Sequence, residues 1–190
     1  MKRFSRNDFV DGLSNMIEDN VSLTVLIRGY FHEEKLSGVL AAIESIDKLK
    51  DGLFVVSSIS EVPKLFEKSF KRKFPKVKQN QTYNFANSNN RFIRRTNSSD
   101  KFGYDEDFIV FYPVESLLFK EKDTESFISQ LKNSPVPIKI IITTNDYSER
   151  AEKLYPFIDE VVILDVNDLH AETYSTLENN LKRKGRALPY

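Results

Sequence analysis

The sequence predicts an α/β protein: a three-layer αβα arrangement around a mainly parallel, five-stranded sheet, with an inserted basic β-hairpin. Three observations carry this. Five short runs, "SLTVLI", "LFVVSS", "FIVFYPV", "IKIIITT" and "VVILDV", are rich in β-branched and other apolar residues. Helical spacing of apolar residues fills most of the gaps between them, and strands alternating with helices specify parallel pairing. "IKIIITT" is apolar enough to be covered on both faces, as strands of parallel sheets are.

Near the start, Phe9, Val10, Leu13, Met16 and Ile17 fall on one helical face. Ser22–Ile27 reads as the first strand, followed by a helix bearing Leu36, Val39, Leu40, Ile43 and Ile46. Leu53–Ser58 is the second strand, with Ser60 placed to cap a helix showing Val62, Leu65, Phe66 and Phe70. The alternation then breaks. Residues 76–106 are polar and rich in Asn, and "TYNFA" and "RFIRR" read as a hairpin turning at "NSNN" and projecting from the body. Phe108–Val114 is the third strand, then Asp123 caps a helix with Phe127, Ile128 and Leu131. Ile138–Thr144 is the fourth strand, "SERAEKLYPFI" begins helical, and Val161–Val166 is the fifth. Asn167 caps a last helix carrying Leu169, Leu177 and Leu181, which Gly185 ends.

The chain has 190 residues, 40% hydrophobic and 29% charged, which fits one domain spanning 1–190. It has no cysteine, which removes disulfides and thiolate metal sites. Basic residues open the sequence without an apolar stretch behind them, and no run is long enough to cross a bilayer. The expected location is the cytoplasm, with no membrane partner. Formal net charge is zero, but from Lys64 to Arg95 there are ten Lys or Arg against one acid, Glu67. A segment of net +9 thus lies between flanks of −3 and −6, a pattern that points to a polyanionic partner.

The stretch "TVLIRGYFHEEKLSGVLAAI" sets an apolar strand before a glycine, a lysine six residues on, and then an amphipathic pattern. A phosphate loop of the form GxxxxGK[ST] uses glycine-freed backbone amides, a lysine for charge and a hydroxyl for magnesium. Gly29 and Lys35 keep that spacing; Glu34 replaces the second glycine, Leu36 replaces the hydroxyl, and Ser37 comes one residue late. The plainer reading is a strand–turn–helix connection with a solvated "HEEK".

Around these residues the chain resembles the P-loop NTPases of the AAA+ type. "FIVFYPVES" sits where that family's acidic metal-binding strand would be, with Glu115 near its end, but Tyr112 and Pro113 stand where acids are expected. "IKIIITTND" is similar to the family's sensor strand, and Asn145 matches the residue that positions water in working members. The resemblance covers Ser22 to Val166 apart from the insertion. It implies a degenerate nucleotide site of Gly29, Lys35, Ser37, Glu115 and Asn145, with no catalytic residue and no cofactor. Inactive relatives, such as the delta-type subunits of clamp loaders, retain such a scaffold for binding.

The basic insertion supplies Lys71, Arg72, Lys73, Lys76, Lys78, Arg91, Arg94 and Arg95, interleaved with Tyr83, Phe85 and Phe92. Cations along a backbone with aromatic faces for bases make a single-strand-binding surface. The alternatives are a solvated helix end whose aromatics anchor the hairpin, or a dock for an acidic protein.

His32 and His170 have no neighbouring ligands at metal-binding spacing, so no metal site is expected. Glu115, Asp146 and Asp165 lie at strand ends and could converge on a divalent cation, which would make the chain a metal-dependent nuclease or phosphoesterase. The sequence therefore predicts a non-catalytic nucleic-acid-binding subunit of a DNA-processing assembly, in replication, repair or mobile-element and defence systems. A protein-interaction scaffold and the phosphoesterase are the alternatives.

Overall fold

The computed structural model describes residues 1–79, 81–95, 103–144, 146–185 and 187–190. Its elements run β1 (Lys2–Ser5), α1 (Arg6–Glu18), β2 (Leu23–Arg28), α2 (His32–Glu44), β3 (Asp51–Val56), α3 (Val62–Phe70), β4 (Thr82–Phe85) and β5 (Ser88–Arg94). Then follow β6 (Phe108–Phe111), α4 (Glu121–Asn133), β7 (Ile138–Ile142), a 3₁₀ segment Glu149–Phe157, β8 (Glu160–Asp165), a 3₁₀ turn Asn167–His170 and α5 (Ala171–Arg183). One sheet orders the strands β1-β8-β2-β7-β6-β3-β5-β4. Every neighbouring pair is parallel except β4 with β5.

The alternating α/β architecture is as predicted, but the sheet has eight strands among the described residues where five were expected. The five apolar runs are β2, β3, β6, β7 and β8. β1 escapes prediction because an edge strand has one partner and little to bury: only Phe4 turns partly inward, in register with Leu164 of β8.

The larger correction concerns the basic segment, which does not project. β5 runs parallel beside β3, from Asp51↔Asn89 to Val56↔Arg94, and so continues the main sheet. β4 folds back on it as an antiparallel edge. The connection is Ala86 and Asn87, with φ of 51° and 53°, so the turn takes only the first residue of the expected "NSNN", and Ser88, Asn89 and Asn90 open the strand instead. The cause is alternation: Ser88, Asn90 and Phe92 face the core while Asn89 and Arg91 are exposed. A fully buried Phe92 holds the strand against the body.

Two apolar layers cover the sheet. α1, α2 and α3 pack on one face through Leu13, Ile17, Leu36, Val39, Ile43, Val62 and Phe66. α4 and the 149–157 segment cover the other through Phe127, Leu131, Ala151 and Leu154. β2 and β7 lie side by side in the interior of the sheet, and Val25, Leu26, Ile27, Ile140, Ile141 and Ile142 are all buried. Three expected caps differ. Ser60 shares a hydrogen bond with Ser58, Asp123 lies inside the first turn of α4, and Asn167 opens a 3₁₀ turn ahead of α5.

Candidate functional site

At the carboxyl ends of the central strands, only Gly29, Tyr30 and Phe31 separate β2 from α2. α2 begins at His32, so "HEEK" is its first turn and not part of a loop. Gly29 is needed for close packing: its φ is +147°, and a Cβ there would lie 2.7 Å from the Leu164 carbonyl oxygen. Lys35 is fully buried. Its ammonium donates to the carbonyl oxygens of Gly29 and Thr144 (2.7 Å to Thr144) and to the Thr143 hydroxyl (3.1 Å). Desolvation pulls its pKa down to about 8 against the opposing charges of Asp146 and Glu115.

The described residues of the expected nucleotide set thus make contacts within the fold. Lys35 ties the ends of β2 and β7 together where a phosphate-binding lysine would stay free. Ser37 donates to the Glu34 carbonyl of its own helix, at 3.1 Å. Glu34 holds His170 at 2.8 Å, and the His170 ring stacks on Phe31 with centroids 4.0 Å apart. Glu115 accepts the Thr144 amide through one carboxylate oxygen; burial raises its pKa, and the other oxygen is buried without a partner among the described residues. Asn145 lies outside the described residues. Of "HEEK", His32, Glu33 and Glu34 keep partial exposure and Lys35 alone is buried.

Two residues that sequence reasoning passed over dominate this edge. Arg28, the last residue of β2, is fully buried, with Nε 2.6 Å and Nη2 3.0 Å from the two Asp146 oxygens. It also donates to the Tyr155 hydroxyl and to the Ser148 carbonyl (3.1 Å). Burial alone would lower its pKa; the Asp146 hydrogen bond and charge outweigh that and move it up. Tyr190 closes the edge, its ring centroid 4.6 Å from the guanidinium carbon and 4.7 Å from the Tyr30 ring. The available signal was a lone arginine ending an apolar central strand, with an aspartate just past the next one.

The three carboxylates of the phosphoesterase alternative each have a partner within the fold. Asp146 is committed to Arg28, Asp165 faces Arg3 at 3.6 Å and accepts the Asn167 amide, and Glu115 holds Thr144. Among the described residues no group of three acidic or histidine side chains is placed to hold a metal ion.

The basic segment divides. Phe92 has no exposed surface, and Phe85 is half-buried in a cluster with Phe54, Phe66, Phe70 and Phe74; the Phe92 centroid lies 5.3 Å from Phe54 and 5.4 Å from Phe66. Tyr83 packs edge-on against Phe92, and its hydroxyl accepts the Lys78 amide at 2.8 Å. These rings anchor the segment and are not free to stack on bases. Arg91 is paired with Glu106, and Arg95 donates to the Pro113 carbonyl (3.2 Å) and the Ser116 hydroxyl (2.9 Å). Period-two alternation puts Arg91 and Arg95 on the opposite face from Arg94, so the three arginines form no single patch.

What remains is coherent. On α3, Lys64, Lys68 and Lys71 follow at i, i+4 and i+7 on the outer side, while Val62 and Phe66 are buried beneath. Lys71 takes the left-handed conformation (φ 52°) that ends the helix. The stripe then continues through Arg72, Lys73, Lys76 and Lys78, all exposed, while Phe74 and Val77 pack down onto the core. Among the described residues, Lys68 has the one ion pair in this stripe, 3.7 Å from Glu33. Beside it a cleft of about 610 Å³ is lined by Arg6, Glu34, Ser37, Lys68, Lys71 and His170, of mixed sign.

Neither the models of known protein families nor the curated proteins contain a match to this chain.

Proposed function

We propose that the protein is a non-catalytic nucleic-acid-binding subunit on a degenerate P-loop-like scaffold, acting inside a DNA-processing assembly. The observation that carries the reading is the stripe Lys64, Lys68, Lys71, Arg72, Lys73, Lys76 and Lys78, exposed together over an apolar underside. Closely spaced cations displace condensed counterions from a phosphate backbone, and that release drives binding whatever the base sequence. With Phe92 buried and Phe85 half-buried against it, the preference for single strands loses its stacking basis, and phosphate contact is the operative interaction.

The scaffold part of the reading is supported by the position of β7 between β2 and β6. That insertion brings the Thr143–Asp146 end beside the turn after β2, as a sensor strand must lie beside a phosphate loop. The spent Lys35 and the missing loop support a chain that kept the frame and lost the nucleotide.

The test is titration of labelled single- and double-stranded oligonucleotides at two salt concentrations. Binding to both, falling steeply with salt, supports the reading. Salt-insensitive binding, or none, favours a protein-interaction subunit instead. That second reading has its own observation: α5 presents half-buried Tyr174, Leu177 and Leu181 but contributes no fully buried residue.

A further inference from the structure

We infer that the crevice at the ends of β2 and β7 is a peptide-binding site that reads a tyrosine on an extended segment, and that Ala187–Tyr190 of this chain fills it in cis. The seat is made of side chains that hold one another. With Tyr190 in place, Arg28, Tyr30 and Asp146 are buried to 0%, 3% and 3% exposure. Arg28 and Asp146 fix each other, while Tyr155 and the Ser148 carbonyl fix the remaining guanidinium donors.

Each part of a tyrosyl residue meets a matching group. The Tyr190 ring lies nearly parallel to Tyr30, at 12°, and against the Arg28 guanidinium. The Tyr190 hydroxyl is 3.3 Å from Asp146 Oδ2 and 3.5 Å from the Asp146 carbonyl oxygen, so the far edge of the ring must carry a donor. The Tyr30 hydroxyl reads the backbone, donating to the Tyr190 carbonyl and lying 3.4 Å from its amide. A neighbouring groove of about 420 Å³ lies between Tyr147, Ser148 and Glu149 on one side and Gly185, Ala187 and Pro189 on the other.

The cis occupant is displaceable. α5, which carries it, has no fully buried residue, and Gly185 beyond the helix takes a positive φ of 64°. A tethered segment competes at an effective concentration of about millimolar, so a partner peptide must bind tighter than that or arrive when α5 is drawn away. This inference stands apart from the nucleic-acid reading and shares no residue with the cation stripe.

The test is an NMR titration of the ¹⁵N-labelled Tyr190→Ala chain with the peptide Ala-Leu-Pro-Tyr, blocked at both ends. The expected result is saturable shifts at Tyr30, Tyr147 and the Arg28 side chain. The Tyr→Phe peptide should bind several-fold more weakly, the Tyr→Ala peptide not at all, and the parent chain should need at least about tenfold more peptide because its own segment competes. Absence of saturable shifts up to about 5 mM peptide, or equal binding of all three peptides, overturns the inference. So does saturation of the same resonances by adenosine without peptide binding. If Tyr190→Ala does not fold, Tyr190→Phe replaces it; it must bind the tyrosine peptide more tightly than the parent, and equal affinity overturns the inference.

Discussion

Arg28 and Asp146 form a two-bond ion pair, at 2.6 and 3.0 Å, in which neither side chain is open to solvent. The pair joins the ends of two adjacent central strands, β2 and β7, at the edge where α/β proteins usually bind ligands. Here that edge is closed by the chain itself.

Removing one partner leaves the other buried and uncompensated. Asp146→Ala should cost about 3–5 kcal/mol of folding stability, while Arg28→Met combined with Asp146→Leu should lose far less than the sum of the single changes. Urea unfolding measures both. A loss below about 1 kcal/mol for Asp146→Ala would mean that water reaches the pair.

Lys35 gives stability a pH dependence of unusual sign. Its folded pKa is depressed to about 8, so above that pH the native ammonium loses its proton while the unfolded chain keeps one up to about 10.4. The unfolded state then binds more protons, and stability rises with pH by up to about 1.4 kcal/mol per unit. The window closes near pH 10, where burial holds the pKa values of Tyr30, Tyr112 and Tyr190 high and reverses the sign. Denaturation at pH 8, 9 and 10 should show the rise in the parent and none in Lys35→Met. A flat parent profile contradicts the buried ammonium.

ATP with Mg²⁺ should give no saturable heat in calorimetry. α2 begins too early to leave a phosphate loop, and the Lys35 ammonium already has three acceptors. Micromolar affinity would show that the first turn of α2 unwinds to admit the nucleotide.

Phe92→Ala should cost about 3–5 kcal/mol in folding, because its ring fills the cluster under α3. A side chain that stacked on bases would instead lower nucleic-acid affinity and leave the urea midpoint in place. The two quantities, measured on one variant, separate anchor from contact.

The α/β alternation and the five strands buried in the sheet were legible because apolar runs such as "IKIIITT" have no other stable placement. β1 was not, since an edge strand such as "KRFS" buries little and owes its form to one neighbour; "TYNFA" was legible as a strand, but its place at the edge of the main sheet was not. The spacing from Gly29 to Lys35 was visible, but not the direction of the lysine. That direction depends on acceptors at Thr143 and Thr144, more than a hundred residues away. Aromatics between cations read equally as stackers or anchors in a sequence. The parallel pairing of β5 with β3 decides for anchors, because it turns Phe92 inward. Arg28 was passed over because burying an arginine needs a partner, and Asp146 becomes that partner only when β7 lies next to β2.

The central claim is that the exposed stripe on and beyond α3 binds nucleic acid through phosphates. Its most direct test replaces Lys71, Arg72, Lys73, Lys76 and Lys78 together by Gln and measures oligonucleotide affinity across a salt series. The folded state should be unaffected, since all these side chains are exposed. Affinity should fall for every base sequence alike, and the slope of log affinity against log salt should flatten by about 0.7–0.9 for each phosphate no longer neutralised. Parent-like affinity and slope in this variant would contradict the account.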